Sequence, residues 1–101
     1  MRILLEPIKF VWDKGNTDKN RFKHKVSNEE CEDIFTVNRF ILLKDKTHSM
    51  LEDRHVVIGP NVLDKILTLI ITIRGKSVRI ISARPASKKE RQLYEKTFKA
   101  T

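Results

Sequence analysis

Ser77-Val78-Arg79-Ile80-Ile81-Ser82-Ala83-Arg84-Pro85-Ala86-Ser87-Lys88-Lys89-Glu90-Arg91-Gln92-Leu93-Tyr94 is the stretch on which the reading of this chain turns. Val78 to Ile81 is β-branched and apolar apart from Arg79, a composition that fits a pleated, partly buried surface. Pro85 has no N–H for a sheet ladder and biases Arg84 towards extended geometry, so the strand should end there. Ser87 and Glu90 then have the spacing of a capping box, which starts a helix. Arginines close to a helix N-terminus create a field suited to an anion, with phosphate the obvious candidate. A parity condition attaches to this. In an unbroken strand Arg79 and Arg84, five positions apart, point to opposite faces, and they converge only if the strand bends, bulges or ends near Ala83.

Working outward, Arg74-Gly75-Lys76 is a tight connection that makes a hairpin with the strand before it. That strand, Ile66 to Ile73, is almost continuously apolar and reads as a central strand covered on both faces. Gly59-Pro60-Asn61 reads as a turn, and Arg54–Ile58 and Arg39–Leu43 as two further strands. Ser27-Asn28-Glu29-Glu30 is a second capping box, with Cys31, Ile34 and Phe35 at helical spacing behind it. Lys14 to Lys25 is a very polar segment read as a helix capped by Asp13, and Ile8 to Trp12 is a short strand. The final helix runs from about Ser87 to Phe98, with Leu93, Tyr94, Thr97 and Phe98 on its inward side. The expected fold is α+β: an antiparallel β-sheet packed against N-terminal helices, with a C-terminal helix.

The chain has 101 residues, about one domain, and its 21 Lys+Arg against 13 Asp+Glu leave a formal charge of +8. That charge favours a polyanionic partner, nucleic acid first, then an acidic protein or a membrane surface. One cysteine, Cys31, permits no intrachain disulfide and reads as a small apolar residue on a helix. Glu6 and Pro7 interrupt the apolar run at the N-terminus, and no stretch reaches the length of a membrane span. A cytoplasmic protein without a membrane partner is expected.

The three histidines, His24, His48 and His55, form no ligand pair, and no carboxylate cluster or glycine-rich phosphate loop is present in the sequence. No metal and no cofactor is therefore expected. What remains is a set of bases, acids and cations. His24 sits between Lys23 and Lys25, which favour its neutral form and so a role as a general base; the same residues also read as an ordinary solvated basic turn. Glu52 and Arg54 precede a strand and read equally as an exposed ion pair.

The order of motifs resembles the BrnT family, the toxin half of a bacterial type II toxin–antitoxin module. The matching segments are Phe10-Val11-Trp12-Asp13, Asn20 with Lys23-His24, Val26 to Glu30, Glu52 to Gly59, Arg74 to Arg84, Lys88 to Arg91, and Tyr94. Arg79-Ile80-Ile81-Ser82-Ala83-Arg84 and the preceding Arg74-Gly75 are the most specific parts. The first seven residues look like an extension of a single toxin domain. The resemblance implies a RelE-like fold and metal-independent endoribonuclease activity that inhibits translation. It also implies a BrnA-like antitoxin, with DNA contacted only through that partner, and RNA, such as mRNA on the ribosome, as substrate. Lys23 or His24 would supply the base or acid. Arg54, Arg79 and Arg84 would contact the phosphate and the transition state, and Glu52 would orient an arginine or share the proton transfer. Arg21, Lys25, Arg74, Lys88 and Lys89 would bind RNA. A non-catalytic RNA- or ribosome-binding module, and an interaction protein for an acidic partner, are the rival classes.

Overall fold

The computed structural model describes residues 9–12, 26–44 and 54–99. The elements are β1 (Lys9–Val11), α1 (Asn28–Val37), β2 (Ile41–Lys44), β3 (Arg54–Pro60), β4 (Ile66–Arg74), β5 (Ser77–Pro85) and α2 (Lys88–Lys99). The strands form one sheet in the order β1-β5-β4-β3-β2. The expected helix over Lys14–Lys25 lies outside the described residues.

Both capping boxes form. Ser27 Oγ accepts from the Glu30 N–H at 3.1 Å and Glu30 Oε1 accepts from the Ser27 N–H at 3.3 Å. At α2 the Glu90 N–H donates to Ser87 Oγ at 3.2 Å, and the Ser87 N–H to Glu90 Oε1 at 2.8 Å. Helix α1 ends at Asn38, which takes the left-handed conformation (φ 59°) that a short polar side chain tolerates.

The sheet is mixed, which corrects the expectation of an antiparallel one. The β2–β3, β3–β4 and β4–β5 pairings are antiparallel, whereas β1 pairs parallel to β5. The first strand pairs with the last, some seventy positions away, and no local sequence signal specifies the direction of so remote a contact. The β4–β5 connection is the expected tight hairpin: Arg74 pairs with Ser77 around Gly75-Lys76, and Gly75 takes φ 60° at the first central position.

The turn expected at Gly59-Pro60-Asn61 falls later. Gly59 and Pro60 continue β3, paired with Leu67 and Ile66. The connection is Asn61–Lys65, organised by the buried Asn61, whose Oδ1 accepts from the Leu63 and Lys65 N–H groups at 2.9 and 3.0 Å. Asn61 Nδ2 donates to Glu30 Oε2 at 3.3 Å, tying this loop to the start of α1. Gly59 is needed for a different reason. A Cβ there would lie 2.6 Å from Phe40 Cβ and 2.9 Å from Phe40 Cα, so the approach to β2 passes directly over it.

Strand β4 is the middle strand, as its apolar run predicts, and its two faces have different covers. Leu67, Leu69 and Ile71 join Val57, Val78, Ile80 and Ala83 beneath Ile34, Phe35, Cys31 and Val26. Phe35 touches the rings of Phe10 and Phe40, each at 5.3 Å. Burial, with three neighbouring glutamates, pushes the Cys31 thiol up to about 12, so it behaves as the small apolar residue expected. The opposite face carries Thr68, Ile58 and Arg84, and α2 lies there, with Tyr94 Oη donating to the Arg39 carbonyl at 2.6 Å.

Gly59→Ala should destabilise the chain by about 1–3 kcal/mol, because the added methyl meets backbone as well as side chain at Phe40. Thermal denaturation checks this; an unchanged midpoint would contradict the close approach.

Candidate functional site

The site is built from sheet register. Arg54 on β3 pairs with Thr72 on β4, and Thr72 pairs with Arg79 on β5. Residues paired across a sheet share a face, so the two arginines stand on either side of Thr72, about 10 Å apart at two strand spacings. Both arginines are half-buried, and Thr72 between them is buried. Val11 extends the same row from β1. Arg74, two positions beyond Thr72 on β4, is exposed on the same face. Three cations thus gather at one end of one sheet face, where guanidinium groups have the donor geometry for a phosphate.

The parity condition on Arg79 and Arg84 is met by a bulge. Ile71 pairs with Ile80 and Ile70 with Ser82, so β5 carries one extra residue, Ile81, against β4. Val78 and Ile80 before it, and Ala83 after it, all remain in the core. Arg79, Ser82 and Arg84 consequently share the opposite face.

Same face does not mean same place. Arg84 pairs with Thr68, four ladder steps from Thr72, or about 13 Å along the strand. Its guanidinium grips Glu90 with two bonds, Nη1 to Oε1 at 2.6 Å and Nη2 to Oε2 at 2.8 Å. The Thr68 hydroxyl also donates to Glu90 Oε1, at 3.0 Å. The anion expected at the start of α2 is therefore this helix's own capping carboxylate. Hydrogen bonds from Arg84, with those of the Ser87 N–H and Thr68, hold the Glu90 carboxyl down to about 2 against the cost of burial. The hydrogen bond to Glu90 in turn raises Arg84 above its ordinary value, against the cost of burial.

Of the other residues singled out in the sequence, Lys88 and Lys89 are exposed on the first turn of α2, at the Arg84 end. Arg21, Lys23, His24, Lys25 and Glu52 lie outside the described residues. His55 faces away from Arg54, and its Nδ1 is buried with no hydrogen-bond partner among the described residues. Thr72 was missed. Its signal was present: Thr68 and Thr72 are the polar residues of the apolar run Ile66–Ile73, and their even spacing puts both on the arginine face.

Among the described residues no group of three or more His, Cys, Asp or Glu is placed to hold a metal ion. No helix among them is long and apolar enough to cross a membrane. The arrangement can bind an anion at the Arg54–Thr72–Arg79 row and stabilise charge that develops there.

A family model described as the ribonuclease toxin, BrnT, of type II toxin–antitoxin systems matches residues 12–90. The chain belongs to the BrnT family. The match takes in α1, all of β2 to β5, the arginine row and the Arg84–Glu90 bridge, and stops within the first turn of α2. Membership in BrnT makes this a ribonuclease toxin family, with RNA as the class of substrate and an antitoxin as partner. No curated protein matches the chain.

Replacing Glu90 tests what its bridge does within this BrnT fold. The carboxyl titrates at about 2 in the folded chain against an ordinary 4.5, so its contribution is complete above that ordinary value and disappears as pH falls towards 2. Glu90→Gln should cost about 1–2 kcal/mol at pH 7, since Arg84 is partly exposed and solvent screens the pair. The difference between the two proteins in denaturant titrations should shrink from pH 4.5 to 2. A constant difference over that range would assign the loss to packing instead.

Proposed function

We propose that this chain is a metal-independent endoribonuclease toxin that cuts RNA by attack of the ribose 2′-hydroxyl on the adjacent phosphorus. The observation that carries the reading is the register that sets Arg54 and Arg79 astride the buried Thr72. In this mechanism a base removes the 2′-OH proton, the P–O5′ bond breaks, and an acid protonates the departing 5′-oxygen. The products are a 2′,3′-cyclic phosphate and a 5′-hydroxyl. Arg54 and Arg79 contact the two non-bridging oxygens and stabilise the charge that grows on the phosphorane. Lys23 or His24 serves as base or acid, and Glu52 orients an arginine or shares the proton transfer. Arg74 guides the backbone, with Arg21, Lys25, Lys88 and Lys89 extending the basic track. Arg84 acts through Glu90, as a positioning residue that seats α2 on β5.

The fuller reading takes the chain as one RelE-like domain with residues 1–7 as an extension, working in the cytoplasm to inhibit translation. A BrnA-like antitoxin neutralises it, and DNA is reached only through that partner.

Cleavage of RNA by the purified chain should persist in EDTA. Arg54→Ala and Arg79→Ala should each lower it about 10²–10³-fold, with the thermal midpoint of each variant separating lost chemistry from lost fold, since both side chains are half-buried. Termini of 3′-hydroxyl and 5′-phosphate would overturn the 2′-hydroxyl route. RNA that is bound in a salt-dependent way but never cut would favour a non-catalytic RNA- or ribosome-binding module.

A further inference from the structure

The arginine row has a neighbour on the same sheet face. One row closer to α2, Val56 on β3 pairs with Ile70 on β4, and Ile70 pairs with Ser82 on β5. A third row, Ile58, Thr68 and Arg84, follows, and there α2 is fastened through Glu90. Burial differs between these rows. Ile58 and Thr68, on the row where α2 lies, are each 1% exposed, and Thr72 between its arginines is 4% exposed. Val56, Ile70 and Ser82 are only half-buried. On the α1 face of the same strands Val57, Leu69 and Ile71 are closed off completely. The middle row is a strip that the fold leaves partly uncovered, between the cations and the helix.

The chemistry of this strip complements one part of a nucleotide. Val56 and Ile70 are β-branched and make an apolar floor on the pleated surface. Ser82 sets one hydroxyl, both donor and acceptor, at the β5 end of that floor. A nucleobase has the matching surfaces: a face that packs on apolar side chains and an edge that takes hydrogen bonds. Spacing agrees. Successive rows on one face lie about 7 Å apart along a strand, within reach of the ribose that joins a base to its phosphate. The bulge matters here as well, because without it the residue paired with Ile70 would be the apolar Ile81.

We propose that the Val56–Ile70–Ser82 row binds a nucleobase of the RNA, that of a nucleotide adjoining the phosphate contacted by Arg54 and Arg79. The base lies flat on Val56 and Ile70, and the Ser82 hydroxyl hydrogen-bonds its edge. Seated so, the base fixes the register of the RNA on the arginines and takes part in choosing where the chain cuts. The inference rests on the reading of the chain as an RNA-cleaving toxin and adds a specificity-determining subsite to it.

The test compares cleavage, by the full chain, of an RNA oligonucleotide and of two copies that each lack one base beside the cut. One of the two abasic copies should be cut about tenfold more slowly than intact RNA by the wild type. Ile70→Thr keeps the β-branch but makes the floor polar, and its rates on intact RNA and on that copy should differ less than about threefold. Ser82→Ala should slow cleavage of intact RNA about three- to tenfold, and of that abasic copy less than about twofold. Each variant is compared with itself on two substrates, so a change in the amount of folded protein cancels. Val62→Thr, in the 62% exposed loop position at the far end of β3, should leave both rates as in the wild type. Equal cleavage of intact and abasic RNA by the wild type overturns the subsite and leaves the ribonuclease reading standing. Discrimination that Ile70→Thr retains in full also overturns the subsite, since the base would then lie elsewhere. A chain that cuts none of these RNAs overturns the ribonuclease reading and the subsite with it.

Discussion

One extra residue in β5 holds the two halves of this structure in register. Without the bulge at Ile81, strict alternation would put Val78 and Ile80 on one face and Ala83 on the other, and Arg79 and Arg84 on opposite sides. With it, the apolar residues before and after the bulge remain in the core while both arginines share the face that α2 occupies. Bulges commonly serve to re-aim side chains, and here a single shift serves both the core and the arginine face.

That face is divided lengthwise. At one end Arg54, Thr72, Arg79 and Arg74 make a cationic strip suited to a phosphate. At the other, Arg84 is occupied by Glu90, and its charge serves to fasten the start of α2 to β4 and β5. Two arginines in one short motif thus have different work. Their places on the sheet differ: Arg79 pairs across the ladder with the buried Thr72, whereas Arg84 meets a capping carboxylate. Helix α2, once fastened, forms one wall of an apolar groove against β2, so the same ion pair that removes Arg84 from the cationic strip also shapes a second surface.

Much of the local structure was legible in the residues. Ser27/Glu30 and Ser87/Glu90 mark the two helix starts because the capping interactions span only three positions. The Gly75 hairpin and the apolar β4 are equally local signals. Reading failed where a distant partner decided the outcome. Gly59-Pro60 has the composition of a turn, yet it continues β3 because Phe40 packs on Gly59 and Asn61 builds the turn two positions later. The sheet was expected to be antiparallel throughout, but β1 joins the strand furthest from it in sequence, and in parallel.

The sequence by itself determined the family, the basic charge, the capped helices and the strands, because each depends on residue type at short spacing. It also named Arg54 and Arg79. Only the tertiary structure decided that these two stand together over Thr72, since strand register across β3, β4 and β5 is a long-range property that one extra residue can shift. Only the tertiary structure, likewise, set Arg84 against Glu90. A guanidinium takes the nearest well-placed carboxylate, and where that carboxylate lies is set by how α2 packs on the sheet.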